Sequence, residues 1–324
     1  MAETTDWAFP EELQPKAEAL RFDLENVLRS VVLLRAEVPE DAFTASSLGT
    51  ERIGSGAVIR PDGLTLTIGY LITEAESIWM TTRDGTAVPA HALAYDYVTG
   101  FGLVSPLGRL AVPALELGSA KSTPIGASAV VVSHGGHNHS LAAKVVEKRE
   151  FAGYWEYLID EALFTAPAHP HWSGAALVSE DGKLIGIGSL LVQEAIAGES
   201  VDANMFVPVD LLEPILDELS RTGRAARVPR PWLGLYATEL QGQLVVNGLA
   251  TDGPAARAGV KLGDRVLEVA GQRVGGLSDL FRKVWRLGPA GTEIPLTLAR
   301  GQSRSRVQVR STDRDALLKK PLRH

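Results

Sequence analysis

Ser173 stands in Pro170-His-Trp-Ser173-Gly-Ala-Ala-Leu-Val178, a hydroxyl followed by a glycine turn and an apolar run. Such a serine attacks a carbonyl only when a neighbouring base accepts its proton, and a neutral imidazole near pH 7 is poised for that. His169 and His171 lie nearest in sequence, and alternation along an extended segment puts His171 on the side of Ser173. A second imidazole group, His134-Gly-Gly-His137-Asn-His139, has no carboxylates at ligand spacing and reads as a solvated loop, so no metal is expected. Gly54-Ser-Gly56 and Gly186-Ile-Gly188 lack the full phosphate-cradling pattern and read as strand-edge glycines. The chain has no cysteine, which excludes disulfides, thiolate metal sites and a cysteine nucleophile.

The elements that must position these groups can be traced along the chain. Ala17, Leu20, Leu24 and Leu28 recur at helical spacing and predict an amphipathic helix over 15–28, just after Trp7 and Phe9. From Ser30 to Val207 the pattern changes to short β-branched runs broken by Gly, Pro and Asp: 31–34, 57–59, 64–68, 77–81, 129–133, 184–187 and 205–207. Many short strands between turns predict a β-barrel or sandwich. Asp210 and Glu213 resemble a capping box opening a closing helix. A smaller unit from Pro231 to Val309 mixes strands (244–247, 265–269, 294–299, 306–309) with a helix carrying Leu277, Leu280, Phe281 and Val284, for which Ser278 is a candidate cap. The charged tail from Ser311 is expected to fray.

With 324 residues, 45% of them hydrophobic and 22% charged, the chain should form at least two soluble domains. A net charge of -7 disfavours nucleic acid, since phosphate binding needs a basic stripe. The one locally basic stretch, Arg221 to Arg230, reads as an exposed linker. No run of ~18–20 apolar residues is present to cross a bilayer. The N-terminus lacks the basic and apolar regions of a secretory signal, so the chain as written is expected in the cytoplasm, or in the periplasm if a leader has been removed.

Four segments together resemble the HtrA (Deg) family. Gly54-Ser-Gly-Ala-Val-Ile-Arg-Pro-Asp-Gly63 is similar to the family's opening hairpin. Thr165 to Ile187, with Ser173-Gly and the Asp181-Gly182 turn, is similar to its nucleophile segment. Asn204-Met-Phe-Val-Pro-Val-Asp210 resembles its closing strand, and Gly253-Pro-Ala-Ala-Arg-Ala-Gly-Val-Lys-Leu-Gly-Asp264 resembles the PDZ signature. The resemblance implies a mainly β protein, a trypsin-like double β-barrel followed by a PDZ domain, with an N-terminal helix. The corresponding boundaries are 1–29 for the N-terminal segment, 30–222 for the protease-fold domain, 223–230 for the linker, 231–311 for the PDZ domain and 312–324 for the tail.

Laid on the family's motifs, the chain departs where chemistry is done. In Leu66-Thr67-Ile68-Gly69-Tyr70 the catalytic histidine position holds Tyr70, and in Val98-Thr99-Gly100-Phe101 the aspartate position holds Gly100. A phenol, with reference pKa near ~10, is a poor proton acceptor at neutral pH. Removing the base from a serine-protease triad lowers turnover roughly a million-fold, ~8 kcal/mol of barrier. His171 replaces the glycine whose N–H faces the oxyanion, Trp172 replaces a smaller residue able to fill the cleft, and Thr165 replaces the acid that opens the motif. Ser173 is therefore expected to be inert unless another histidine serves it.

The PDZ resemblance implies a carboxylate-binding loop at Trp232, Leu233, Gly234 and Leu235. A strand from Leu235 would pair with a peptide C-terminus, and Leu280 and Val284 would line the groove. The alternative is a groove that is blocked. Trp7 and Phe9 resemble aromatic segments through which family members trimerise, although they could equally pack on their own barrel. The expected partners are polypeptides and further copies of the chain, with no cofactor. The main reading is a pseudoprotease that binds polypeptides or scaffolds an assembly. Its rivals are an active serine endopeptidase with a non-standard base and a regulatory subunit of an active homologue.

Overall fold

β-branched and apolar residues alternating with polar ones give the first unit its strands. In β1 (Val31–Glu37), Val32, Leu34 and Ala36 are buried while Arg35 and Glu37 face out. β1 joins β2 (Glu51–Val58), β3 (Thr65–Ile68), β4 (Ser77–Thr81), β5 (Ala87–Tyr95) and β6 (Phe101–Pro106) in a closed barrel of order β1-β2-β3-β6-β5-β4. A second closed barrel, in the order β10-β11-β12-β9-β8-β7, is built from β7 (Ser128–Val132), β8 (Ser140–Gly153), β9 (Tyr157–Ala166), β10 (Ala176–Ser179), β11 (Leu184–Ile196) and β12 (Glu199–Pro208). Leu141, Leu163, Leu177, Ile185 and Phe206 fill its interior. This computed structural model describes residues 7–196 and 199–319. Their contacts form two units: one runs to Arg149 and takes in Glu161–Ala225 and Lys319, and the other takes in Glu150–Asp160 and Ala226–Leu318.

The second unit is a sheet of order β13-β14-β15-β17-β18, made of β13 (Leu235–Leu240), β14 (Gln243–Leu249), β15 (Arg265–Val269), β17 (Glu293–Arg300) and β18 (Ser303–Arg310), with β16 (Gln272–Arg273) paired to β15. β13 is an edge strand. The helix Leu277–Arg286 packs Leu280, Phe281 and Val284 against Leu235, Val246, Leu296 and Leu298, and each such burial contributes ~1.5–3 kcal/mol. Asp264 is fully buried and grips Arg300 through both oxygens at 2.7 Å while accepting the Lys261 N–H at 2.9 Å. The Gly-Asp of the PDZ-like signature is thus a fold-closing pair.

The mainly β, double-barrel and PDZ-like architecture expected from the sequence is the one observed. Several local expectations are corrected. The helix over 15–28 is two short pieces, a 3-10 turn Ala17–Ala19 and α1 (Leu24–Arg29), because Asp23 accepts the Asn26 N–H and starts a new helix there. Besides the short α2 (Ala45–Leu48), the closing helix α3 (Leu216–Thr222) begins later than predicted. Asp210 is no cap: it accepts from Ser119 Oγ and Ala120 N–H, and Pro214 disfavours helix at Glu213. After α4 (Pro254–Arg257), α5 (Leu277–Arg286) has Gly276 rather than Ser278 at its N-cap, and Glu239 accepts the Leu277 N–H. β5, β6, β8, β9 and β10 went unpredicted because their apolar runs are short or carry Pro, Gly and charges. Of the tail expected to fray, Ser311–Leu318 is ordered, with a 3-10 turn Arg314–Leu317, and Lys320 onward lies outside the described residues.

Candidate active site

The turn carrying Ser173 is held by backbone from both barrels. Ser55 on β2 donates its N–H to the Ser173 carbonyl at 2.8 Å, and Gly174 donates to Gly188 on β11 at 2.9 Å. Gly174 has φ of +72°, and a Cβ there would lie 1.9 Å from the Ser55 carbonyl oxygen, so only glycine fits. The serine is accordingly fixed and half-buried at the joint of the barrels.

Its hydroxyl meets a phenol. Tyr70, on the 3-10 turn Gly69–Leu71 after β3, places its oxygen 2.8 Å from Ser173 Oγ, and donates to the Ser189 carbonyl at 3.0 Å. With the single phenolic proton on Ser189, the serine proton points at the phenol oxygen, which the Trp172 side chain also reaches. Burial pushes Tyr70 up to about 12, against the lowering effect of these hydrogen bonds. At neutral pH the phenol is therefore a hydrogen-bond partner for Ser173 and no base.

The histidines are engaged elsewhere. His169 is completely buried, and the Asn204 side chain clamps its backbone, accepting its N–H at 2.6 Å and donating to its carbonyl at 3.1 Å. Its Nε2 lies 2.7 Å from the His139 carbonyl, which fixes the proton on Nε2 and leaves Nδ1 to accept the His171 N–H at 2.9 Å. Burial and then the neighbouring imidazoles hold His169 at about 4, neutral near pH 7, with the His139 carbonyl acting the other way. The N–H that would face a developing oxyanion is thus consumed by an imidazole two residues earlier. His171 stacks its ring parallel to that of His134, centroids 6.0 Å apart, with Trp7 edge-on at 5.0 Å. Among the described residues, no imidazole hydrogen-bonds to Ser173.

Gly100, expected at the aspartate position, lies in a tight turn. It has φ of +83° and closes a turn in which its N–H bonds to the Asp96 carbonyl at 2.7 Å and its carbonyl accepts the Gly69 N–H at 2.7 Å. Asp96 spends Oδ2 on Thr99 N–H and Oγ1. Thr165 is buried on β9, and its hydroxyl has no hydrogen-bond partner among the described residues. The solvated loop expected at 134–139 is corrected: His137–His139 form a 3-10 turn, His137 bonds the Pro15 carbonyl, and Trp7 sits on His139, His169 and His171. Among the described residues no group of His, Asp and Glu could hold a metal ion.

In the second unit, Trp232 is buried and bridges to Thr312, while the N–H groups of Leu233, Gly234 and Leu235 converge on one point. All three donate to Oε1 of Glu156, at 3.0, 2.7 and 3.3 Å, and Leu233 also reaches Oε2 at 3.1 Å. Leu280 and Val284 are buried in the cluster containing Leu235 and Leu158. Sequence reasoning missed Glu156, Ser55 and Ser189. The one signal for Glu156 was a lone acid inside the aromatic turn Tyr154-Trp-Glu-Tyr157.

Fold and site together define a trypsin-like double barrel with a serine at its joint, followed by a PDZ sheet. Residues 54–187 match the trypsin-like peptidase domain family and residues 231–310 the PDZ domain family. The chain is 29% identical over 271 residues to a probable periplasmic serine endoprotease DegP-like of Halomonas elongata, covering 79% of this chain and 56% of that protein. It is 28% identical to the chloroplastic protease Do-like 1 of Arabidopsis thaliana, covering 93% and 73%. Among solved structures it is similar in fold to the HtrA-type protease AlgW with decapeptide (20% identity, TM-score 0.54, 92% and 98% covered) and to the serine endoprotease from Yersinia pestis (23%, 0.51, 90% and 96%). The chain thus combines a trypsin-like peptidase domain with a PDZ domain and is similar to proteases named DegP-like and Do-like. It spans a little over half the length of the bacterial relatives.

Proposed function

We propose that this chain is an HtrA-like pseudoprotease: its barrels keep the serine without the proton-transfer chemistry, and its PDZ unit binds polypeptide C-termini or assembles a complex. The observation that carries this reading is the contact of Ser173 with a protonated phenol, beside a His171 N–H already spent on His169. No base takes the proton and half of the oxyanion hole is gone, so acyl transfer has neither of its two main supports. The edge strand β13 supports peptide capture by strand addition.

The relatives, named as serine endoproteases, favour a second reading, an active endopeptidase with a non-standard base. Casein digestion and fluorophosphonate labelling, run on the parent chain and on Ser173→Ala, separate the two. We expect no cleavage and no Ser173-dependent label; cleavage by the parent that Ser173→Ala abolishes would overturn the proposal. A role as regulatory subunit predicts co-purification with an active homologue and a change in that enzyme's turnover. The bacterial relatives are named as periplasmic, which supports that compartment here. Among the described residues no helix is long and apolar enough to cross a membrane. Homo-oligomerisation belongs to the same reading, and light scattering of a monomer would remove it.

A further inference from the structure

Three consecutive backbone N–H groups converging on one carboxylate are the contact a peptide C-terminus would make with such a loop. Here the carboxylate is internal. Glu156 lies at the turn between β8 and β9, within the Glu150–Asp160 segment that belongs to the second unit. Its backbone has φ of +62°, a conformation that a residue with a side chain seldom adopts and that persists only when its surroundings enforce it.

The surroundings do so from several directions. Arg314 donates to the Trp155 carbonyl at 3.1 Å, and Tyr154 packs edge-on to Tyr236 of β13, centroids 6.1 Å apart. Leu158, two residues beyond Glu156, is buried with Leu235, Leu280 and Val284, the apolar residues that would receive a peptide's terminal side chain. Arg282 of α5 binds both Glu150 and Asp160. The turn therefore presents a carboxylate to the loop, an apolar side chain to the groove residues and acids to the helix, as a bound peptide would.

We propose that the Glu150–Asp160 turn is a built-in occupant of the peptide-binding groove, with Glu156 standing in for a terminal carboxylate, and that a polypeptide C-terminus binds only by displacing it. This rests on the reading of the second unit as a peptide-capturing PDZ domain. The free ligand it selects has an α-carboxylate and an apolar last residue, because those are the two features the turn imitates.

The test uses the full chain, Glu156→Gln and Glu156→Ala. Amide hydrogen exchange without peptide is read at Leu233, Gly234 and Leu235. Self-occupation predicts at least tenfold faster exchange there in Glu156→Ala, with a smaller change in Glu156→Gln, whose amide carbonyl still accepts, and the rest of the sheet unchanged; equal exchange in parent and Glu156→Ala overturns it. A fluorescein-labelled Gly-Ser-Gly-Ala-Ala-Leu peptide with a free C-terminus, beside its C-terminal amide, is then titrated. Glu156→Ala is expected to bind the free acid at least tenfold more tightly than the parent and the amide poorly in every case. Equal acid binding by parent and Glu156→Ala also overturns self-occupation. Faster exchange in the variants without acid binding by any of them leaves the internal contact standing and overturns the peptide-capture reading instead.

Discussion

Tyr70 determines what Ser173 can do, and the change reaches beyond one side chain. Restoring histidine alone leaves Gly100 without a carboxylate and the His171 N–H bonded to His169. Tyr70→His combined with Gly100→Asp is therefore expected to remain below detectable casein turnover, since Gly100 adopts φ of +83°, where a side chain is strained. Measurable turnover by the double variant would show the oxyanion hole to be intact. Tyr70→Phe should leave the absence of proteolysis unchanged and lower unfolding free energy by ~1–2 kcal/mol in urea, because the buried Ser189 carbonyl loses its donor. The sequence placed Tyr70 and Gly100 in the motif frames, and the contact of Tyr70 with Ser173 agrees with the reading proposed above. That His169 would take the His171 N–H was not legible there, because the bond depends on a tautomer set by the His139 carbonyl.

At the scale of elements, turns constrain the molecule more than strands do. Gly174→Ala would drive a Cβ into the Ser55 carbonyl and is expected to cost more than ~2 kcal/mol, read as a fall in the urea midpoint. The turn at Glu156 gives a pH dependence. Burial, the largest cause, pushes its carboxyl up to about 7 from the ordinary 4.5, against the N–H groups of Leu233, Leu235 and Gly234 and the Arg314 charge; Tyr236 and Tyr154 pack beside them. Closure of the turn therefore takes up a proton between those two values, so acid favours the closed form and opening releases the proton. Affinity for a C-terminal peptide should be roughly tenfold weaker at pH 5.5 than at pH 8, with the dependence lost in Glu156→Gln. Titration calorimetry at both pH values checks it. Periodicity placed α5 and much of β15, whereas the split first helix and the misplaced cap at Asp210 turned on side-chain partners remote in sequence.

The whole molecule should answer acid in the opposite sense through its barrels. His169 is held neutral, at about 4 against an ordinary 6.5, so on acidification the unfolded chain takes up its proton first. The stability contribution is intact above pH 6.5 and is lost as pH falls toward 4. We expect ~2 kcal/mol lost by pH 5, with His134 acting in the same direction, and a smaller loss in His169→Gln, measured by urea denaturation. The mainly β architecture was legible because short β-branched runs between turn residues and the PDZ signature are local patterns. The assignment of Glu150–Asp160 to the second unit was not, since nothing in that stretch announces its partners.

The Ser173 carbonyl and the Gly174 turn fasten β2 of one barrel to the segment entering the other. That stitch uses the backbone carbonyl of residue 173 and needs a glycine at 174, whether or not a substrate is ever cut. Glycine at 174 is thus needed to join the two barrels irrespective of turnover, whereas the Ser173 hydroxyl, turned to the Tyr70 phenol, takes no part in the stitch.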